Sequence, residues 1–183
     1  YLAVLSLGVG IGSVLAGLWS CGRVELGMVP LGTVLMALAC VVAYFSSESW
    51  WIFGISLAMI GIGGGLFNVP LNAYMQDRSP RESLGAILAA CHQITSIGVL
   101  AVSILFPFLR NGLNCSADQI FLIAGLGTLP IVVYVVWLIP QATIRFVVWL
   151  MSRTIYRVRT YGTENIPEHG PALFVANHVS WID

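Results

Sequence analysis

Five long apolar stretches free of charge constrain this chain more than anything else in it. They cover about residues 2–19, 27–45, 50–70, 84–109 and 119–139, and none contains an Asp, Glu, Lys or Arg. At about 1.5 Å of rise per residue, each is long enough to cross a hydrocarbon layer of about 30 Å as a helix. Lipid offers the backbone no hydrogen-bond partner, so such segments must satisfy their own N–H and C=O groups, and the helix is the form that does so within one segment. Only 9% of the residues are charged, against about 25% in soluble domains, and 58% are hydrophobic. The sequence therefore describes an all-α polytopic membrane protein over residues 1–140.

The connections carry what charge there is. Arg23 and Glu25 lie in 20–26, Glu48 in 46–49, and Asp77, Arg78, Arg81 and Glu82 in 71–83. Arg110 and Asp118 lie in 110–118, and Arg145, Arg153, Arg157 and Arg159 follow Pro140. Alternate connections fall on opposite sides of a membrane, which places seven arginines on one side and Arg110 alone on the other. The excess of basic residues on cytoplasmic loops assigns the seven, and with them the C-terminal tail, to the cytoplasm. The net charge is zero, so no overall field points to nucleic acid. The four cysteines show no Cys-x-x-Cys spacing, and Cys40 and Cys91 sit in apolar runs; neither a disulfide framework nor a metal site follows, and no cofactor is indicated. Tyr1 opens inside an apolar stretch without an initiator Met or a basic leader, so the start reads as a truncation and not as a signal peptide.

Within the spans, Gly8 and Gly12, and Gly61 and Gly65, are glycines four apart, the spacing at which helix backbones approach closely. The Gly61–Gly65 run is not a phosphate-cradling loop, because it lies inside a span and lacks the Gly-Lys-Ser/Thr ending. Polar side chains are few: Asn68 and Asn72 near the end of the third span, and His92, Gln93, Thr95 and Ser96 in the fourth. Polar groups at membrane depth face another helix or a cavity and not lipid. His92, Gln93 and Asn68 are accordingly candidates for a transport cavity that takes a polar head group, the other reading of His92 being an interhelical hydrogen bond.

After Pro140, residues 141–160 read as a linker helix. Val147, Leu150, Met151, Ile155 and Val158 form one stripe, and Arg145, Ser152, Arg153 and Arg157 fall on the other side. Such a helix, with Trp149, either lies on the membrane surface among anionic head groups or packs on the next domain. Residues 161–183 open a further domain. Gly170-Pro171 precedes the apolar run Ala172-Leu173-Phe174-Val175-Ala176, which reads as a buried strand, and Asn177-His178-Val179-Ser180-Trp181-Ile182-Asp183 follows. An imidazole can take a proton from a hydroxyl near neutral pH, and a carboxylate on its other nitrogen sets its tautomer, which makes His178 and Asp183 a candidate base and orienter.

Two resemblances meet at Pro140. The ordered set Gly162-x-Glu164-Asn165-Ile166-Pro167, Gly170-Pro171, an apolar strand and Asn177-His178-x-Ser180-Trp181-x-Asp183 resembles the opening of the glycerolipid acyltransferase family. The resemblance implies an α/β acyltransferase domain, here only its beginning. His178 would be the catalytic base on a glycerol hydroxyl that attacks an acyl thioester, and Asp183 would orient it. The family's later motifs, including the phosphate-binding one, have no counterpart up to Asp183, so these residues alone are expected to be inactive. The five spans resemble the last five helices of a major facilitator transporter, with Gly17-x-x-x-x-Gly22-Arg23 in the place of a degenerate cytoplasmic loop signature. Both halves together are similar to bacterial fusions of a lysophospholipid transporter with a 2-acylglycerophosphoethanolamine acyltransferase and acyl-carrier-protein synthetase.

That resemblance implies import of lysophospholipid across the bacterial inner membrane and its reacylation at the cytoplasmic face. The expected partners are the lysophospholipid, an acyl donor (acyl-ACP or acyl-CoA) and membrane lipids. Two other readings compete: an acyltransferase whose helices only anchor it, and a major facilitator transporter of another solute.

Overall fold

The computed structural model describes residues 1–20, 24–46 and 49–155. Six helices follow one another: α1 (Leu2–Ser20), α2 (Met28–Phe45), α3 (Trp50–Arg78), α4 (Leu84–Pro107), α5 (Ala117–Leu138) and α6 (Pro140–Thr154). A single π-helical turn, Phe108–Gly112, extends α4. No strand occurs among the described residues, and five of the helices, α1 to α5, are long and apolar enough to cross a membrane. Contacts divide the chain into Tyr1–Val148, which holds the bundle, and Trp149–Asp183. The residues expected to form the strand and turn of a second domain lie outside the described part.

The helix boundaries have local causes. At the start of α5 the Ser116 hydroxyl accepts from the Gln119 backbone N–H (3.2 Å), and the Gln119 side chain accepts from the Ser116 N–H (2.8 Å), a reciprocal cap. The third span runs eight residues past the expected end at Pro70, to Arg78. Pro70 lacks an N–H but is buried inside the bundle, where packing offsets one missing backbone bond, and helical geometry continues beyond it. Proline stops the helix only later: Ser79, which precedes Pro80, is extended at φ −81° and ψ 138°. Pro140 does not merely end α5. It is the first residue of α6, the position where a missing N–H costs nothing.

The connectivity is up and down, and side-chain contacts at both ends agree with it. At one end the Phe53 ring, early in α3, meets Tyr1 before α1 at 5.2 Å and Phe121 early in α5 at 5.5 Å, edge on in both cases. At the other end Glu25, after α1, pairs with Arg145, after α5, at 3.1 Å. The turn that carries Glu25 and the helix that carries Arg145 therefore share one end of the bundle, as five successive crossings require.

Packing is organised around α3. Gly61 and Gly65 are four residues apart and lie on one face, while Gly63 is about 200° away on the opposite one. A Cβ built on Gly65 would meet the backbone nitrogen of Ser13 at 2.5 Å and the carbonyl carbon of Gly12 at 2.7 Å. One on Gly61 would strike Leu5 and Val9, and ones on Gly8 and Gly12 would strike the backbone at Ala58 and Ile62. So α1 and α3 touch backbone to backbone. On the far face, a Cβ on Gly63 would lie 2.7 Å from the Gly32 carbonyl oxygen, and one on Gly32 would lie 2.6 Å from that of Gly63, which brings α2 as close. The other side of α2 packs on α5, where Gly125 faces Cys40 and the Ala37 carbonyl. The described core is correspondingly small-chained, with Ala16, Ala37, Ala39, Ala43 and Thr33 buried. α4 differs, since none of its residues is buried.

Two predictions follow from this packing. Gly65→Ala and Gly12→Ala force backbones apart and should each destabilise the bundle by about 1–3 kcal/mol, whereas Gly10→Ala, with nothing within 4 Å of the new Cβ, should be neutral; thermal midpoints in detergent read the difference. Arg145 is 70% exposed in its side chain, so breaking its ion pair with Glu25→Gln should lower stability by less than about 1 kcal/mol, and raised salt should shrink even that.

Candidate functional site

The polar groups available for a site in the spans lie on α3 and α4. Asn68 and Asn72 stand one turn apart on α3. The Asn72 side-chain amide donates both to the Asn68 side-chain oxygen (2.7 Å) and to the Asn68 carbonyl (2.9 Å). This couples the two amides along α3, in the stretch that flanks Pro70. On α4, the hydroxyls return to their own helix: Thr95 donates to the Cys91 carbonyl (2.9 Å), Ser96 to that of His92 (2.8 Å) and Ser103 to that of Val99 (2.8 Å). Such back-bonding satisfies a hydroxyl without a neighbouring helix.

His92 and Gln93 have no such recourse. Unlike the α4 hydroxyls and the Asn72 amide, neither makes a hydrogen bond to a carbonyl one turn back, and both residues are exposed. Among the described residues neither side chain makes a hydrogen bond to Asn68 or to any other group on α1, α2, α3 or α5. Gly85, Ala89, His92 and Ser96 recur at helical spacing, so one face of the first half of α4 carries only small or polar residues, until Val99 interrupts it. His92 lies about 12 Å along the axis from Leu84, well inside a hydrocarbon layer. The interhelical hydrogen bond expected as one reading of His92 has no partner among the described helices. The imidazole and the Gln93 amide are instead available to water, to a solute or to another polar surface.

A sulfur contact joins α3 and α4 at one point. The Cys91 thiol donates to the Met75 sulfur at 3.4 Å, which places these two residues side by side. Along α3, Asn72 stands three residues and Asn68 seven residues from Met75, and on α4 His92 directly follows Cys91. Asn72, and not Asn68, is thus the α3 amide nearer along the helix to this contact. The three candidates therefore do not converge on one point. His92 and Gln93 are neighbours on α4, and Asn68 is tied to Asn72 on α3. The signal for Asn72 was present in the sequence as the second of two amides four apart, but the Met75–Cys91 contact near it was not.

The candidate base His178 and its orienter Asp183 lie outside the described residues. Among those described, no cluster of His, Cys, Asp and Glu could hold a metal ion. The described cavities are apolar. One of about 100 Å³ lies between α2 and α5 and is lined by Val34, Ala37, Leu38, Val41, Gly125 and Leu129; it offers nothing to a head group.

Against known proteins, the chain matches no family model, no curated protein and no solved structure.

His92→Ala removes a side chain that no described residue holds. It should therefore shift the thermal midpoint by no more than a surface substitution does, about 0.5 kcal/mol or less. A large loss on unfolding in detergent would mean that the ring serves the bundle's packing.

Proposed function

We propose that this protein carries a lysophospholipid across the bacterial inner membrane and, at the cytoplasmic face, serves its reacylation by an attached acyltransferase. The observation that carries the reading is the ordered set from Gly162 to Asp183, with Asn177-His178-x-Ser180-Trp181-x-Asp183 at its end, placed directly after a bundle of apolar helices. It rests further on the resemblance of the five spans to the last helices of a major facilitator transporter, and on the exposed His92 and Gln93.

The physical logic joins the two parts. A lysophospholipid has one acyl chain and a charged head. The chain is at home in lipid, but moving the head through the hydrocarbon unaided costs several kcal/mol. A polar face on one helix shelters the head while the tail stays in the bilayer. His92 and Gln93 would supply hydrogen bonds there, with Asn72 and Asn68 on α3 as further polar groups. The arginine-rich side of the bundle is the cytoplasmic one, so the head is delivered on the side of the C-terminal tail. There, the resemblance assigns the chemistry. His178 removes the proton from the free glycerol hydroxyl as its oxygen attacks the acyl thioester carbonyl; the tetrahedral intermediate collapses with loss of the thiolate, which takes up a proton. Asp183 holds the imidazole in the tautomer that leaves one nitrogen free to act as base.

The two halves separate experimentally. In the protein as its gene encodes it, His178→Ala should lower acyl transfer by about 10²–10⁴-fold and leave uptake of labelled lysophospholipid into membrane vesicles intact. Equal uptake with and without the protein would reject the transport half and leave the helices as an anchor. Unchanged acyl transfer in His178→Ala would reject the catalytic assignment.

A further inference from the structure

α6 has two faces with different surroundings. The first is seated on the bundle. Phe146 is 5% exposed. A Cβ built on Gly27 would collide with the Phe146 side chain and lie 2.7 Å from the Ala142 carbonyl oxygen, so α6 rests directly on the backbone of the turn between α1 and α2. The Trp19 ring, at the end of α1, meets Phe146 at 6.4 Å. Beside this seat Arg145 donates to both oxygens of Glu25 (3.1 and 3.3 Å), and the Gly27 N–H donates to the same carboxylate (3.3 Å). Close packing, ring contact and ion pair together hold the first two turns of α6 against the ends of α1 and α2.

The opposite face is apolar and uncovered. Ile144, Val147 and Val148 are 63, 45 and 58% exposed, and the helical spacing carries the stripe on to Met151 and Ile155. These five side chains fall within an arc of about 100°, the width of an apolar stripe that a helix normally buries. Among the described helices α6 is the most amphipathic.

We propose that this stripe lies in a lipid surface, at the boundary between head groups and acyl chains of the leaflet reached by the ends of α1, α3 and α5. Continuity with the spans identifies the occupant. One residue, Ile139, separates α5 from α6. The exposed apolar surface of α5 runs through Tyr134, Trp137 and Leu138, with Trp137 76% exposed, straight into Ile144. On a span that surface belongs to lipid, and a Trp at its end marks the interface. The seat on Gly27 keeps α6 at the level of the helix ends and prevents it from running on as an extension of α5. Arg145 stands at the flank of the stripe, 70% exposed despite its ion pair, where a guanidinium on a long stem reaches phosphate while its methylenes stay in the apolar layer. The helix is thus a strap, fixed to protein on one side and bedded in lipid on the other. This inference does not depend on the transport or acyl-transfer reading.

Site-directed spin labelling of the whole protein in nanodiscs of phosphatidylcholine and phosphatidylglycerol tests it. Cys21, Cys40, Cys91 and Cys115 are first replaced by alanine. Single cysteines then replace Ile144, Val148 and Met151, with Val133→Cys in α5 as the lipid reference and Arg81→Cys in the loop before α4 as the water reference. All five positions are exposed, so the labels disturb no packing. The expected result is a ratio of oxygen to nickel-chelate collision at the three α6 positions several-fold above that at position 81 and approaching that at position 133. Labels at Ile144 and Val148 as accessible to the nickel chelate as position 81 would overturn the proposal. So would labels shielded from both reagents, which would mean that protein covers the stripe.

Discussion

Backbone-to-backbone contact around α3 is what makes a bundle of these helices. In lipid, apolar side chains gain nothing by leaving one hydrocarbon environment for another, so helix association depends on close packing and not on the hydrophobic effect. Glycine is the residue that permits it. Gly61 and Gly65 admit α1, Gly63 admits α2, and Gly32 returns the approach from the α2 side. A Cβ at any of these would strike main-chain atoms, which cannot rotate away as a side-chain end can. The rest of the described bundle hangs on this arrangement: α5 is held through α2 at Gly125, and α6 through the turn between α1 and α2 at Gly27.

Polarity is distributed by the same economy. Hydroxyls within the spans return to carbonyls one turn back, so Ser13, Thr33, Ser56, Thr95 and Thr128 add no demand on neighbouring helices. Asn68 and Asn72 satisfy part of their needs with each other. His92 and Gln93 stand apart from this pattern, on a helix that buries none of its residues. A polar pair with no internal solution inside an apolar span is where a functional reading has physical grounds.

The end of the bundle that carries Glu25 and Arg145 combines several weak interactions into one attachment. The ion pair alone is modest because Arg145 is largely in solvent. The seating of Phe146 on Gly27 is not, because a glycine there leaves no side chain to yield. Through this attachment the chain leaving the fifth span turns along the bundle's end instead of away from it.

The number of spans, their helical form and the roles of Gly8/Gly12 and Gly61/Gly65 were legible in the sequence, because charge-free length and residue spacing are local properties that lipid enforces without reference to fold. The stripe on α6 was legible in part, since periodicity is local: Val147, Met151 and Ile155 lie on it as expected, whereas Ile144 and Val148 join it, and the third helix runs on past Pro70 to Arg78. Whether a proline breaks, kinks or begins a helix depends on what packs around it and on the chain beyond. Tertiary structure alone decided which helices touch. It set Gly63 against α2 while its neighbours face α1, left α4 without a buried residue, paired Glu25 with an arginine 120 positions away, and brought Cys91 to Met75. Those outcomes rest on register and helix order, which arise only when distant segments pack together, and no local pattern encodes them.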